Sequence, residues 1–202
     1  KAFDSVYHNG LIHKMYKDEI PLPIIRFFFN WLSNRTARAK VNSHFSQQVP
    51  LQSGVPQGSV LSPLLWIYYL GDCPCLQDPH VEIVLFADDI AIWVTHPHQL
   101  KNIALFQKAI VDLTSWASTK RLLFNAAKTN IIAFHPDKKR RLEIHKNTVY
   151  LYDQQDTPLT WTESATFLGI LFTSNCSFDS HIHNKISTCK SRILQLARFN
   201  KH

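Results

Sequence analysis

Val84-Leu85-Phe86-Ala87-Asp88-Asp89-Ile90-Ala91-Ile92-Trp93-Val94 sets two adjacent acids inside an apolar, β-branched run. Residues 81–87 and 90–95 read as two short strands with the acids at the break between them, so the stretch predicts a hairpin with an acidic tip. Successive side chains of a strand point to opposite faces, so both carboxylates approach one centre only if the chain turns at or beside them. Paired carboxylates at the edge of an apolar sheet are costly without a counter-charge, and no Lys or Arg is near them in sequence. A hard divalent cation such as Mg²⁺ is the cheapest partner. The plainer alternative is a solvated Asp-Asp turn with no chemistry.

A second segment shifts the balance. Gln52-Ser53-Gly54-Val55-Pro56-Gln57-Gly58-Ser59-Val60-Leu61-Ser62-Pro63-Leu64-Leu65 concentrates Gly and Pro ahead of an apolar run. The spacing predicts a turn opening a helix, with Gly54 and Gly58 letting backbone approach a ligand and Gly58-Ser59 at the helix start. Exposed N–H groups there suit a phosphate or a sugar, although an ordinary loop and cap would look similar.

Five segments in order now resemble the polymerase motifs of the reverse transcriptases of non-LTR retrotransposons, nearest to the jockey-like lineages. Lys1-Ala2-Phe3-Asp4 is similar to the end of the first motif, 53–63 to the second, and Phe86-Ala87-Asp88-Asp89 to the third. Asn125-Ala126-Ala127-Lys128-Thr129 with Ile131-Ile132-Ala133-Phe134 resembles the fourth, and Phe167-Leu168-Gly169-Ile170 the fifth, the primer grip. The spacers Ser33-Asn34-Arg35-Thr36 and Lys40-Val41-Asn42 also match. In that pattern a metal-binding acid lies three residues before the Lys of Lys-Ala-Phe-Asp. It would precede Lys1, and Asp4 is not its equivalent, so the expectation is a fragment beginning inside the first motif and inactive alone.

The resemblance implies an α+β fold: a right-hand polymerase palm with an antiparallel sheet backed by helices, partial fingers and the start of a helical thumb. Residues 1–172 would be palm with part of the fingers, and 173–202 the start of the thumb, its first helix running from Asp179. It also implies two Mg²⁺ ions, with Mn²⁺ an alternative, on Asp88 and Asp89. Lys128 would donate a proton to pyrophosphate or clamp its charge. Phe3 would lie beneath the incoming sugar and reject a ribose 2′-hydroxyl, Gln57 and Gly58 would contact the nucleotide and template base, and Leu168 and Gly169 would hold the primer end. The implied partners are an RNA template, a DNA primer and deoxynucleoside triphosphates. A non-catalytic RNA-binding remnant of the fold and a group II intron maturase share these motifs.

Composition agrees with that direction. The 22 Lys plus Arg against 15 Asp plus Glu give a net charge of +7, which favours a polyanionic partner. At 202 residues and 45% hydrophobic content, the chain can bury a core as one large or two small domains. There is no signal peptide, repeat or apolar run long enough to cross a bilayer, so the expectation is a soluble intracellular protein, nuclear by the family likeness. Cys73, Cys75, Cys176 and Cys189 lack zinc-ligand spacing even with His80, His181 and His183 near them, and read as reduced thiols. The histidines look scattered.

Elsewhere, periodicity predicts a Pro-started helix over 23–32 and a hairpin of 38–41 with 47–51 about Asn42-Ser43. A long helix over 99–120 carries Ile103, Phe106, Ile110, Leu113 and Ala117 on its core face. The run Lys138-Lys139-Arg140-Arg141 reads as a solvated turn and 152–160 as loop. From Asp179, Ile182, Ile186, Cys189, Ile193 and Leu196 make an apolar stripe beside Lys185, Lys190, Arg192 and Arg198. After Pro63 the residues 64–72 depart from the family's Asn and its Tyr-Ile-Asn-Asp-like ending.

Overall fold

The structure, a computed structural model, describes residues 3–74, 78–151 and 156–199, with side chains through residue 196. The readings of Lys1, Ala2, Cys75, Tyr152 and the Arg198 side chain lie outside the described residues. The chain forms two compact units, 1–124 and 125–202.

In the first unit a 3-10 turn at Phe3–Ser5 leads into α1 (His8–Lys17) and α2 (Leu22–Leu32). Pro23 sits at the start of α2, where its missing N–H breaks no helical bond. Leu11 and Met15 of α1 meet Ile25 and Leu32 of α2 in the core. Next come β1 (Thr36–Ala37), β2 (Lys40–Val41), β3 (His44–Phe45) and β4 (Val49–Pro50). The turn falls at Asn42-Ser43 as expected, with Asn42 at φ +54. The pairing differs from expectation: Lys40 and Val41 pair with Phe45 and His44, while β4 reaches back to β1. A two-residue turn forces its nearest neighbours to pair first, so 47–51 cannot be the partner of 38–41.

α3 (Leu61–Leu70) buries Ser62, Leu65, Trp66, Tyr69 and Leu70. Leu65, Trp66, Tyr69 and Leu70 join Val6, Leu11, Met15, Ile25, Leu32 and Val55 in one cluster, each large side chain contributing roughly 1.5–3 kcal/mol of transfer free energy. β5 (Val81–Phe86) and β6 (Asp89–Val94) pair antiparallel from Val81↔Val94 to Phe86↔Asp89. α4 (Gln99–Thr119) packs on this hairpin and buries Ala109, Ile110, Leu113 and Ala117, the face that helical spacing predicts. The ends of α3 and α4 are tied by polar contacts. Tyr69 OH donates to the Lys120 carbonyl at 2.6 Å, and Lys120 Nζ meets Asp72 Oδ2 at 2.6 Å. Trp116 Nε1 adds a 3.2 Å bond to Asp72 Oδ1. Burial pushes the Asp72 carboxyl up, but the Lys120 and Trp116 hydrogen bonds outweigh it and leave it below its ordinary range. The unusual Gly71-Asp72 ending of α3 is thus a helix–helix tie.

The second unit starts with a 3-10 turn at Ala126–Lys128, then α5 (Lys138–Ile144), β7 (Val149–Leu151) and β8 (Thr157–Leu159). Two expectations are corrected here. The basic run is the first turn of α5, capped by Asp137, which accepts Lys139 N–H at 2.8 Å. Arg141 is buried, donating to the carbonyls of His135 and Pro136. A guanidinium that finds main-chain acceptors turns a solvated run into an anchored helix. The expected loop contains β8, since Thr157–Leu159 pairs with Leu151–Val149 and Leu159 is buried. β9 (Ser164–Phe167) and β10 (Ile170–Thr173) form a hairpin, and α6 (Asp179–Phe199) follows. Its helical span matches expectation, but Ile182, Ile186, Cys189, Ile193 and Leu196 are exposed.

The fold is α+β. Among the described residues the strands form five separate two-stranded antiparallel ladders instead of one sheet. Every pairing joins strands close in sequence, the contacts that cost least loop-closure entropy. No helix of the described residues is long and apolar enough to cross a membrane.

Candidate active site

The acidic tip is tighter than two strands at 81–87 and 90–95 imply. Phe86 pairs with Asp89, leaving Ala87 and Asp88 as a two-residue turn. Ala87 stands at φ +52, where an L-residue with a Cβ costs roughly 1–2 kcal/mol. Its carbonyl accepts Trp66 Nε1 at 2.8 Å. Trp66, 5% exposed, lies against the Phe3 ring with centroids 6.0 Å apart. The ends of the first and third motif-like segments are therefore joined through one side chain of α3. Asp88 and Asp89 are exposed, and neither carboxylate has a hydrogen bond or ion pair among the described residues.

The Gly54–Gly58 loop is stitched to the residues after Phe3. Gly54 N–H donates to Val6 O, and Val55 N–H to Phe3 O, both at 2.8 Å. Gly54 O accepts from Arg35 Nη1 at 3.0 Å and lies 2.8 Å from His8 Nε2. Gly54 has φ +87, and a Cβ there would stand 2.9 Å from Asp4 Cα. The close approach expected of Gly54 is thus to its own chain, not to a ligand. At Gly58, φ +88, a Cβ would meet nothing within 4 Å, so this backbone faces open space. Gln57 is exposed and donates from Nε2 to Asp4 Oδ1 at 2.9 Å. α3 starts close to where it was expected, with Ser59 Oγ accepting Leu61 N–H at 3.3 Å and Ser62 Oγ bonding Pro56 O at 2.6 Å.

The second unit carries Lys128, Leu168 and Gly169. Lys128 ends the 3-10 turn with its side chain exposed, and its ammonium has no partner among the described residues. Leu168 and Gly169 are the turn between β9 and β10, at φ +49 and +78. Both signs are those of a type I′ turn, which suits Gly169 and strains Leu168. Leu168 is 46% exposed.

Sequence reasoning missed Trp66, Asp4, Arg35 and His8 as parts of this framework. Trp66 reads as one more apolar residue of a buried helix, and no spacing indicates which distant carbonyl its N–H meets. The histidines are also less scattered than they look. His80 and His96 rings lie 4.5 Å apart and His96 and His98 rings 5.5 Å apart, at the open end of the β5–β6 hairpin. Burial, then His80, Lys101 and His98, hold His96 below the usual histidine range.

Two exposed, unpaired carboxylates form a hard oxygen donor set that fits Mg²⁺ or Mn²⁺. Among the described residues no group of three or more His, Cys, Asp or Glu gathers to complete a site. The paired acids stand on a turn tied through Trp66 to α3, the helix that follows the Gly-Pro loop.

The chain belongs to the reverse transcriptase (RNA-dependent DNA polymerase) family, which it matches over residues 1–172. Its relatives are polymerases of non-LTR retrotransposons. It is 28% identical, over 97% of its length, to a probable RNA-directed DNA polymerase from transposon BS of Drosophila melanogaster. It is 30% identical over 90% of its length to the corresponding protein of the X-element, and 25% over 98% to the RNA-directed DNA polymerase of the mobile element jockey, both of the same fly. The match covers 22%, 19% and 21% of those three proteins, so the chain spans about a fifth of their length.

Proposed function

We propose that the chain carries the nucleotidyl-transfer site of an RNA-directed DNA polymerase that copies element RNA into DNA. In this reading residues 1–172 are palm with part of the fingers, and α6 begins a helical thumb. The observation that carries it is the tip itself: Asp88 and Asp89 stand exposed and unpartnered on a turn held by Trp66. Acids that served the fold would be paired, as Asp72 is with Lys120.

The primer 3′-hydroxyl attacks the α-phosphate of a deoxynucleoside triphosphate, and pyrophosphate leaves. Two divalent ions, Mg²⁺ or Mn²⁺, would supply charge stabilisation at the phosphate and activate the hydroxyl when bound. Asp88 and Asp89 would hold them. Lys128 neutralises the leaving pyrophosphate or gives it a proton. Phe3 supplies bulk beneath the incoming sugar, which selects deoxyribose over ribose. Gln57, steadied by Asp4, and Gly58, facing open space, contact the nucleotide and template base. Leu168 and Gly169 hold the primer end. A bulky exposed residue kept at positive φ is strain that folding alone does not require. The acid-free stretch from residue 20 to 71, with Arg26, Arg35, Arg38 and Lys40, suits an RNA template. A nuclear site of action is consistent with the family likeness.

The test is primer extension on an RNA template by the polypeptide carrying this chain. Wild type extends with Mg²⁺, and Asp88→Ala abolishes extension while RNA affinity stays within about twofold. Normal extension by Asp88→Ala sinks the assignment. RNA binding without extension by the wild type favours the non-catalytic remnant.

A further inference from the structure

We propose that Trp66 is the positioning residue of the acidic tip: its indole N–H fixes the direction in which the 87–88 peptide faces, and with it the backbone conformation that sets the Asp88 rotamers. The inference rests on the metal reading of Asp88 and Asp89.

Ala87 and Asp88 are the two central residues of the turn, so the peptide between them is the one whose orientation distinguishes one hairpin turn type from its flipped counterpart. The Ala87 carbonyl is half of that peptide, and it accepts the indole N–H at 2.8 Å. Flipping the peptide would break this bond and carry Asp88 from negative to positive φ, which leaves its Cα–Cβ direction nearly unchanged but alters the rotamers open to its carboxylate. Trp66 is well placed to act as a fixed post. It is buried in the middle of α3 and stacked at a tilt on Phe3, whose carbonyl is bonded by Val55 N–H.

Ala87 leaves the turn strained. At φ +52 it carries a Cβ that Gly would lack, and no local hydrogen bond of a side chain, such as Asn or Asp supplies, favours that conformation. Ala87 is also exposed, so water replaces the energy of a lost indole bond without its direction. Removal of the N–H should therefore disturb ligand geometry more than stability. That separates a positioning role from a merely structural one.

The experiment is Mn²⁺ titration of the chain, followed by the loss of the free-ion electron paramagnetic resonance signal, alongside thermal unfolding. Asp88→Ala should remove the binding. Trp66→Phe, which keeps a ring at that position and deletes the donor, should weaken Mn²⁺ about 10-fold, as outer-shell groups commonly do, with far-UV circular dichroism unchanged. Ala87→Gly alone should bind like wild type, because the post remains, but it should worsen the Trp66→Phe defect by freeing the turn. Should Trp66→Phe fail to fold, 3-benzothienylalanine at position 66 keeps the bicyclic shape without the N–H and should give the same weakening. Wild-type affinity in these Trp66 variants, with binding lost in Asp88→Ala, overturns the positioning role alone. Unchanged binding in Asp88→Ala overturns the metal reading beneath it.

Discussion

Two of the chain's hairpins with two-residue turns, β5–β6 and β9–β10, treat their tips in opposite ways. Between β9 and β10, Leu168 and Gly169 take φ +49 and +78, the pattern of a type I′ turn, and a Cβ on Gly169 would touch nothing within 4 Å. That turn relies on its own glycine. Between β5 and β6, the tip has no glycine; Ala87 takes φ +52 and a distant tryptophan holds its carbonyl. Each tip keeps an L-residue at positive φ, but at the acidic tip a distant side chain also fixes the carbonyl of that residue. Local chemistry suffices where the tip presents an apolar side chain, but the acidic tip is tied to the core through α3. A tip held from outside keeps one orientation, which is what a carboxylate pair needs if it is to hold an ion.

The two tips should part most clearly in catalysis. Asp89→Asn keeps shape and removes charge, and it should lower kcat for primer extension on the order of 10³-fold, as loss of one transition-state stabilising group does. Leu168→Asn should instead act through the KM for primer, with kcat within about tenfold. It should also raise stability by about 0.5–1 kcal/mol, because Asn-Gly is the pair this turn favours. Steady-state kinetics and urea unfolding read both. Equal kcat losses at the two tips would mean that the acidic one has no privileged part in the chemistry.

A smaller separation follows from two glycines at positive φ. Gly54→Ala combines backbone strain with a Cβ driven to 2.9 Å from Asp4 Cα, and should cost about 2–4 kcal/mol. Gly169→Ala meets open space and carries only the strain, about 1 kcal/mol. Midpoints of urea unfolding with unchanged slopes would give both values. If Gly54→Ala proved as mild as Gly169→Ala, the contact between the Gly-Pro loop and Asp4 would not be a tight one.

How far these features could be read from the sequence depended on how local their causes are. The acidic hairpin, α2, α4 and α6 were legible because periodicity and punctuation specify them within a few residues. The start of α3 was legible for the same reason, from Gly58-Ser59 before an apolar run. Arg141 was misread because its partners are two main-chain carbonyls, and carbonyls have no signature in a sequence. β8 was missed because Thr157-Pro158-Leu159 is short and carries Pro, although at position 158 the strand tolerates it. At the site, Asp88 and Asp89 were legible as anomalies, charges where apolar residues belong. Trp66 was not, since an indole in a buried helix is unremarkable until its N–H has a destination. Gly54 was recognised as special for the wrong neighbour, because positive φ is visible in composition and the crowding atom is not.

The smallest effect expected distinguishes charges that serve the fold from charges kept free. Glu163 accepts a hydrogen bond from Ser174 and lies 3.6 Å from Arg141 Nε. The Ser174 bond first, opposed by burial and aided by the Arg141 charge, holds its carboxyl below the ordinary 4.5. A carboxylate whose folded pKa is depressed contributes stability above its unfolded pKa, and that contribution is lost as pH falls through the folded value. Glu163→Gln should therefore lower the unfolding midpoint at pH 7, and its difference from wild type should shrink to nothing as pH falls well below 4.5. Asp89→Asn should not lower the midpoint at pH 7, since no partner is lost and a repulsion between adjacent acids is relieved. Urea unfolding at pH 7 and pH 3 checks both at once. A clear loss of stability in Asp89→Asn at pH 7 would make the acidic tip a structural contact like Glu163, and its carboxylates would no longer be free for an ion.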